Sequence, residues 1–441
     1  MQSQSLEVNN KAVLKIAVPM AAGFLTTPLV GLADTAIVGQ LGNAAFIGGV
    51  GVAAILIGLL LTTFNFLRSA TSALTAQAFG ANDAKEQVAV LLRSSLIAVV
   101  AGGLVVVLHR PLLQLGLFLM NPSEAVSDVA ADYFNVRILA TPFALLNFVY
   151  LSWLVGTGRT MLCFVLQTAL NVINILLTYY LVLVLDMGVA GAAWGTFVAE
   201  VLIAVVTFII LLPRINPYRT KVFELALNIA KLRSMMLLNT DIMIRSFCLQ
   251  LAFAFFTRQS AQQSDTVLAA NEVLLHFFMI AGYFLDGFAI AVEQFVGRAV
   301  GAKSKPTFEK SVRLTFLWNG GQAIVLSLVF FLFGILLIHF MTPNEEIRAV
   351  AETYMIWAAL TPVIGVAAFQ MDGVFIGATW SKDMRNSMII SLLVLIATYY
   401  IVFPFLGNHG LWFALSIFLS MRAISLYWLL GKRKQALFAS F

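Results

Sequence analysis

The stretch AQAFGANDAKE at residues 76–86 reappears as GRAVGAKSKPTFE at residues 297–309, and this recurrence decides how the chain is read. Gly80-Ala81 aligns with Gly301-Ala302 at an offset of roughly 220 residues, half the chain. At about the same offset, Thr141-Pro142 in YFNVRILATPFALL (133–146) matches Thr361-Pro362 in YMIWAALTPVIGVA (354–367). Gly156 matches Gly377, and GVAGAAW (188–194) loosely matches GNHGLWF (407–413). The matches share one order and one offset, and Gly, Pro and polar residues carry them. The alternative is chance similarity among membrane helices, which does not favour matches of that kind. A duplicated, very apolar chain is the sequence mark of a secondary transporter.

Of the 441 residues, 61% are hydrophobic and only 11% charged. Soluble domains carry about 25% charged residues, so a water-soluble fold is excluded. Apolar stretches of about 20 residues recur, each long enough to cross a bilayer. They lack strand alternation, so the spans are helices. The pattern predicts an all-α polytopic membrane protein with twelve transmembrane helices in two six-helix lobes. The predicted spans are 13–38, 45–79, 88–119, 125–156, 160–185 and 188–212 in the first lobe. In the second they are 236–257, 266–300, 311–341, 347–377, 386–405 and 409–430. Lobe boundaries follow at 1–212 and 236–441, joined by a basic linker at 213–235. Six spans per half bring both halves in from the same side, so the internal repeat is parallel. Because one chain holds both lobes, a monomer is expected.

The net charge of +6 is not a nucleic-acid signal, because its distribution follows the spans. Lys11 and Lys15 begin span one, Lys85 follows span two and Arg159 follows span four. Arg214, Arg219, Lys221, Lys231 and Arg233 fill the linker. Lys303, Lys305 and Lys310 follow span eight, Lys382 and Arg385 span ten, and Lys432, Arg433 and Lys434 span twelve. The positive-inside rule then puts both termini and the linker in the cytoplasm. The opposite loops carry acids such as Glu124, Asp128, Glu345 and Glu346, with Arg258, Arg348 and the His109-Arg110 pair as exceptions. Residues 222–232 of the linker read as a short surface helix with apolar and basic faces. The first apolar run is a full span without a cleavage site, so a plasma-membrane protein of a bacterial inner membrane is expected. Cys163 and Cys248 both fall in spans and suggest neither a disulfide framework nor a metal site; no cofactor is implied.

An ionisable side chain in hydrocarbon costs about 2.5–3.5 kcal/mol on insertion scales, so each asks for a reason. Asp34 lies in span one, in TTPLVGLADTAIVGQLG (26–42), with Pro28 six positions earlier. Pro28 removes a backbone donor and crowds the preceding turn, which makes it a candidate hinge. Span five carries Gln167, Asn171, Asn174 and Thr178 at spacings of 4, 3 and 4, on one face. Such a stripe turns inward, either as interhelical glue or toward a site. Span six adds Thr196. The functional reading groups Asn174, Thr178 and Thr196 around Asp34 as a cation-coupling site.

The second half is more acidic. Asp286 and Glu293 sit seven apart in span eight, and Asp372 lies in span ten, with Arg245 available to neutralise one of them. Arg68 and Arg137 are also embedded, to snorkel or pair. Met279, Tyr283, Phe288, Met355 and Phe369 are candidate walls of a substrate cavity, able to hold greasy cations by dispersion and cation–π attraction. For any one of these residues, ordinary packing is the simpler reading.

The assembled chain resembles the multidrug and toxic compound extrusion (MATE) family, and most of all its DinF-type (DNA-damage-inducible F) branch. The motifs are PLVGLADTAIVGQLG (28–42), TAQAFGANDA (75–84), NVINILLTYYLV (171–182), GVAGAAWGTFVAE (188–200), YFLDGFAIAVEQFVGRAVGA (283–302) and MDGVFIGAT (371–379). The resemblance implies a twelve-helix antiporter whose two lobes expose a central cavity to alternate sides. It implies export of organic cations against an inward gradient of protons or sodium ions. The family's first-helix carboxylate then corresponds to Asp34, and its partners in helices five and six to Asn174 and Thr196. One departure stands out. Helix five of many relatives has Asp four residues after the Asn, and here that position is Thr178. A single first-lobe carboxylate is therefore expected.

The resulting expectation is proton-coupled antiport, in which protonation of Asp34 lets helix one bend at Pro28, and deprotonation restores a negative site for a lipophilic cation. A sodium ion among the oxygens of Asp34, Asn174, Thr178 and Thr196 is the alternative. A lipid-linked precursor flippase of the same superfamily stays open, although its cavity would be more basic. A membrane enzyme would need clustered His, Asp or Arg in polar loops, and the short loops hold none. Nothing resembles the selectivity filter of a channel.

Overall fold

The computed structural model describes residues 7–439, with no strand among them. The first six residues of the predicted first lobe and the last two of the second lie outside that range. Among the described residues, twelve helices are long and apolar enough to cross a membrane. They are α1 (Asn10–Gly39), α2 (Ala44–Gly80), α3 (Ala84–Val107), α4 (Glu124–Gly156), α5 (Thr160–Val184) and α6 (Gly188–Ala226), then α7 (Ile229–Ala261), α8 (Asp265–Gly301), α9 (Lys305–Met341), α10 (Glu345–Gly377), α11 (Ser381–Leu406) and α12 (Asn408–Ala439).

The duplicated motifs are duplicated turns. After Gly80, Asn82 takes φ +56° and its N–H donates to Phe79 O, while Asp83 N–H reaches back to Ala78 O. After Gly301, Lys303 takes the same φ of +56°, with Lys303 N–H on Val300 O and Ser304 N–H on Ala299 O. This paired closure satisfies the last carbonyls of a helix whose next residue is left-handed. The following residue then opens the next helix. Asp83 Oδ1 accepts from Glu86 N–H at 2.8 Å, and Ser304 Oγ accepts from Thr307 N–H at 3.4 Å. The second pair repeats the device, with Gly158 at φ +82° after α4 and Thr379 at φ +58° after α10.

Packing repeats as well. A Cβ on Gly156 would meet the carbonyl of Ser72, and one on Gly377 would meet the carbonyl of Glu293. Each of these two glycines, and each of their two partners, stands 221 residues from its counterpart. Gly373, four residues before Gly377, also lies against α8, at Ala289 O. Lipid gives helices no hydrophobic reason to associate, so backbone approach through small residues supplies the packing instead.

The third span differs from its expected extent. It ends at Val107, and His109–Met120 forms a separate helix. Pro111 has no N–H to offer the carbonyl of Val107 and crowds it, so the helix cannot run on. The fourth span is broken by a 3-10 turn, Ile138–Ala140, before Thr141. Its counterpart α10 runs unbroken through Pro362.

The chain divides into two compact units, Gly23–Asn239, and the described residues of Met1–Ala22 with Thr240–Phe441. Helix α1 thus contributes its first part to the second unit. There Trp318 Nε1 donates to Asn10 Oδ1 at 3.0 Å, and Gly287 lies close against Ala17 and Ala21. The first unit's core gathers Ile37 and Val38 of α1, Val50 and Ile57 of α2, Tyr133, Phe134 and Ile138 of α4, and Val189 of α6. The linker stays with the first unit, where Lys85–Glu224 and Lys231–Glu86 are surface ion pairs.

Candidate functional site

Asp34 is buried, one turn before the core residues Ile37 and Val38. Its Oδ1 has no hydrogen-bond partner. Thr178 adjoins it, and Arg137 lies within electrostatic reach. Tyr133 touches the same neighbourhood, with Arg137, Asp34 and Thr196 around its hydroxyl. The site therefore draws on α1, α4, α5 and α6. The close approach of the last two depends on Gly195, where a Cβ would stand 2.8 Å from Thr178 N and 3.0 Å from its Oγ1. Thr196 Oγ1, next along α6, donates to Ala192 O at 3.2 Å. Asn174 lies one turn before Thr178, and both are almost fully buried. Asn174 Oδ1 and Thr178 Oγ1 share with Asp34 Oδ1 the property of making no well-formed hydrogen bond. Buried oxygens normally find partners, so Asp34 Oδ1 and Asn174 Oδ1 leave acceptor capacity unused beside Thr178.

The polar stripe of α5 divides its work. Gln167 Nε2 donates to Asn171 Oδ1 at 3.2 Å, and Asn171 Nδ2 donates to Thr26 Oγ1 of α1 at 2.8 Å. Thr26 in turn donates to Gly23 O at 2.7 Å. This end of the stripe is interhelical glue, set two residues before Pro28. Helix α1 is continuous through Pro28, which is exposed.

The expectation of a single first-lobe carboxylate is corrected by Glu200. It is buried on α6, one turn beyond Thr196, and Asn147 Nδ2 donates to its Oε2 at 2.7 Å and to its backbone O at 3.0 Å. Arg137 lies within electrostatic reach of it as well. The sequence signal was present, since Glu200 is a lone acid twelve residues into an apolar helix.

In the second unit the acids meet arginines. Asp372 Oδ2 accepts from Arg245 Nη2 and from Arg422 Nη2, the latter at 2.5 Å. Asp286 lies within electrostatic reach of Arg422, so two acids and two arginines share one region. Arg422 is buried halfway along α12, and its partnership was unreadable from sequence distance alone. Glu293 is buried on α8, its carbonyl beneath Gly377. The candidate wall residues scatter. Met355 is buried against Gly334 and Phe288 is buried on α8, so packing within the unit, not an open wall, is where these two lie. Met279 is half exposed; Tyr283 and Phe369 are intermediate, and Phe369 faces Phe278 and Gly282.

Comparison with known proteins places this geometry in context. The family model MatE matches residues 19–180 and 242–401, one segment in each half. The chain is 36% identical to DNA damage-inducible protein F of Escherichia coli (strain K12), covering 96% of this chain and 92% of that protein. It is 28% identical to Protein DETOXIFICATION 44, chloroplastic, of Arabidopsis thaliana, over 96% of this chain and 82% of the plant protein. A solved structure described as the outward-facing conformation of a multidrug resistance MATE family transporter matches with a TM-score of 0.85 at 18% identity, covering 97% of this chain and 96% of that one. At that identity the match speaks for the fold.

Proposed function

Because the chain belongs to the MatE family of transporters, we propose that it is a secondary active antiporter that exports lipophilic cations in exchange for protons by alternating access. The observation that carries this reading is Asp34, a carboxyl buried on α1 with Oδ1 left unpaired. A carboxyl taken out of water favours its neutral form, and an approaching organic cation favours its charged form. One group can then serve both ligands in turn. Asn174, Thr178 and Thr196 line the approach with neutral oxygens, and Pro28 supplies a point where α1 lacks a backbone hydrogen bond. Proton and drug favour different states of this helix, which is the condition for exchange. The acids Asp286, Glu293 and Asp372 serve chiefly as counter-charges in the second unit, and Met279, Tyr283 and Phe369 offer aromatic and thioether surface to substrate.

The same oxygens also suit a hard monovalent cation, so sodium is the second reading. The family relationship to a bacterial protein supports a bacterial inner membrane. The basic linker and the arginines and lysines after α8, α10 and α12 support cytoplasmic termini. The test is efflux of a fluorescent lipophilic cation from proteoliposomes, first under a proton gradient without sodium, then under a sodium gradient at matched pH. Proton-driven efflux supports the proposal. Efflux driven by sodium alone replaces protons by sodium, and no efflux under either gradient moves the reading to a lipid-linked precursor flippase.

A further inference from the structure

Glu200 has no part in the exchange just described, yet it is an acid buried in the same unit. It sits one helical turn from Thr196 on the same face of α6. Asn147 holds it through two hydrogen bonds from one amide, at 2.7 Å to the carboxylate and 3.0 Å to the backbone. These fix its position without neutralising it. The cation within electrostatic reach of it is Arg137, at the joint where α4 breaks before the 3-10 turn Ile138–Ala140. Arg137 is also the cation within reach of Asp34. Its Nη1 is buried with no partner, a donor not committed to either acid. Among the titratable side chains packed against α6 are Tyr133, which interacts with Arg137 and Thr196, and Tyr150, stacked on Phe208. Arg159 and Arg214 neighbour each other at the linker end.

Charge counting then constrains what the site can hold. An arginine keeps its charge at any physiological pH. With both acids ionised the group of Asp34, Glu200 and Arg137 carries one net negative charge. It becomes neutral by taking one proton or one monovalent cation. A second proton, or a proton together with a cation, would leave a net positive charge in a low-dielectric surrounding, which is costly. Without Glu200, Asp34 and Arg137 would already cancel, and the site would attract neither ligand.

We propose that Glu200 is a second exchangeable carboxylate of the first-unit site, and that Arg137, shared between Glu200 and Asp34, makes the site exchange one proton for one monovalent organic cation. This rests on the reading of Asp34 as the coupling group. It assigns Glu200 a role as an exchangeable acid and Arg137 a role in setting the charge.

The test compares wild type, Glu200→Gln, Arg137→Gln, the double variant Glu200→Gln/Arg137→Gln and Asp34→Asn in proteoliposomes under a proton gradient, each checked for a single monodisperse species. Glu200→Gln should lower efflux of a lipophilic cation on the order of tenfold or more. The double variant should recover much of that loss, because a lone Asp34 again carries one net negative charge. Glu200→Gln that transports as wild type overturns the proposal. So does a double variant that folds yet is as impaired as Glu200→Gln. If Asp34→Asn transports normally, the reading of Asp34 has failed instead, a different pattern. A measurement on wild type covers variants that do not fold: adding tetraphenylphosphonium to the purified protein in weak buffer should release one proton per cation bound. Release of none or of two overturns the proposal, and absence of binding overturns the cation reading beneath it.

Discussion

Replacing Asp372 by Asn should destabilise the second unit more than replacing either arginine that holds it. The carboxylate accepts from Arg245 and Arg422, whose side chains are 16% and 3% exposed. Removing it leaves two guanidinium groups close to each other and largely out of water, with Asp286 within electrostatic reach of Arg422. Breaking a buried ion pair by deleting one partner costs about 3–5 kcal/mol. For a unit of this size each kcal/mol lowers Tm by about 2–4 °C, so a fall on the order of 10 °C is expected. Arg422→Gln leaves Asp372 with Arg245 and should cost about 1–3 kcal/mol. The double variant Asp372→Asn/Arg422→Gln should be more stable than Asp372→Asn alone, because it removes the excess cation. The assay is thermal unfolding in detergent, read by loss of the monodisperse peak on size-exclusion chromatography. A Tm for Asp372→Asn within error of wild type, or a double variant less stable than both singles, would refute the counter-charge reasoning.

Gly377→Leu should prevent correct packing of α8 on α10, because its Cβ would meet the backbone at Glu293, which cannot move aside; little monodisperse protein should be recovered. Gly365→Ala is the control, since the nearest atom to its Cβ is a Phe369 ring carbon at 3.6 Å, and wild-type yield and Tm are expected. Asn171→Ala removes the hydrogen bond to Thr26, which within a membrane is worth about 0.6–1.7 kcal/mol, so Tm should fall by only a few degrees. Arg433→Gln breaks the pair with Asp383 on a half-exposed arginine; the change in stability should be below about 1 kcal/mol and should shrink in high salt.

The parts of the fold that were legible in the sequence are those with strict local chemistry. The turn after Gly80 and the turn after Gly301 each need a left-handed residue and then a capping side chain, so Gly-Ala-Asn-Asp and Gly-Ala-Lys-Ser stay recognisable after duplication. Span number was legible because lipid demands length and apolarity. The end of the third span was not, because the apolar pattern resumes at Leu112 and only the short step His109-Arg110-Pro111 records the break. Asp34 could be singled out as a lone acid beside a proline. Its neighbours Tyr133 and Arg137 lie about a hundred residues away on α4, a proximity only the fold creates. Glu200 was hidden in a motif recognised for its glycines and alanines. Asp372 looked like a free acid because Arg422, its partner, follows 50 residues later with no shared spacing.

The most direct measurement of the central claim is proton-driven efflux of a lipophilic cation by wild type and Asp34→Asn, reconstituted at equal amounts and matched for Tm. The account predicts that Asp34→Asn, which keeps the size and shape of the side chain and an oxygen able to meet Thr178, folds and loses coupled efflux. Full pH-driven efflux by a folded Asp34→Asn protein would contradict it.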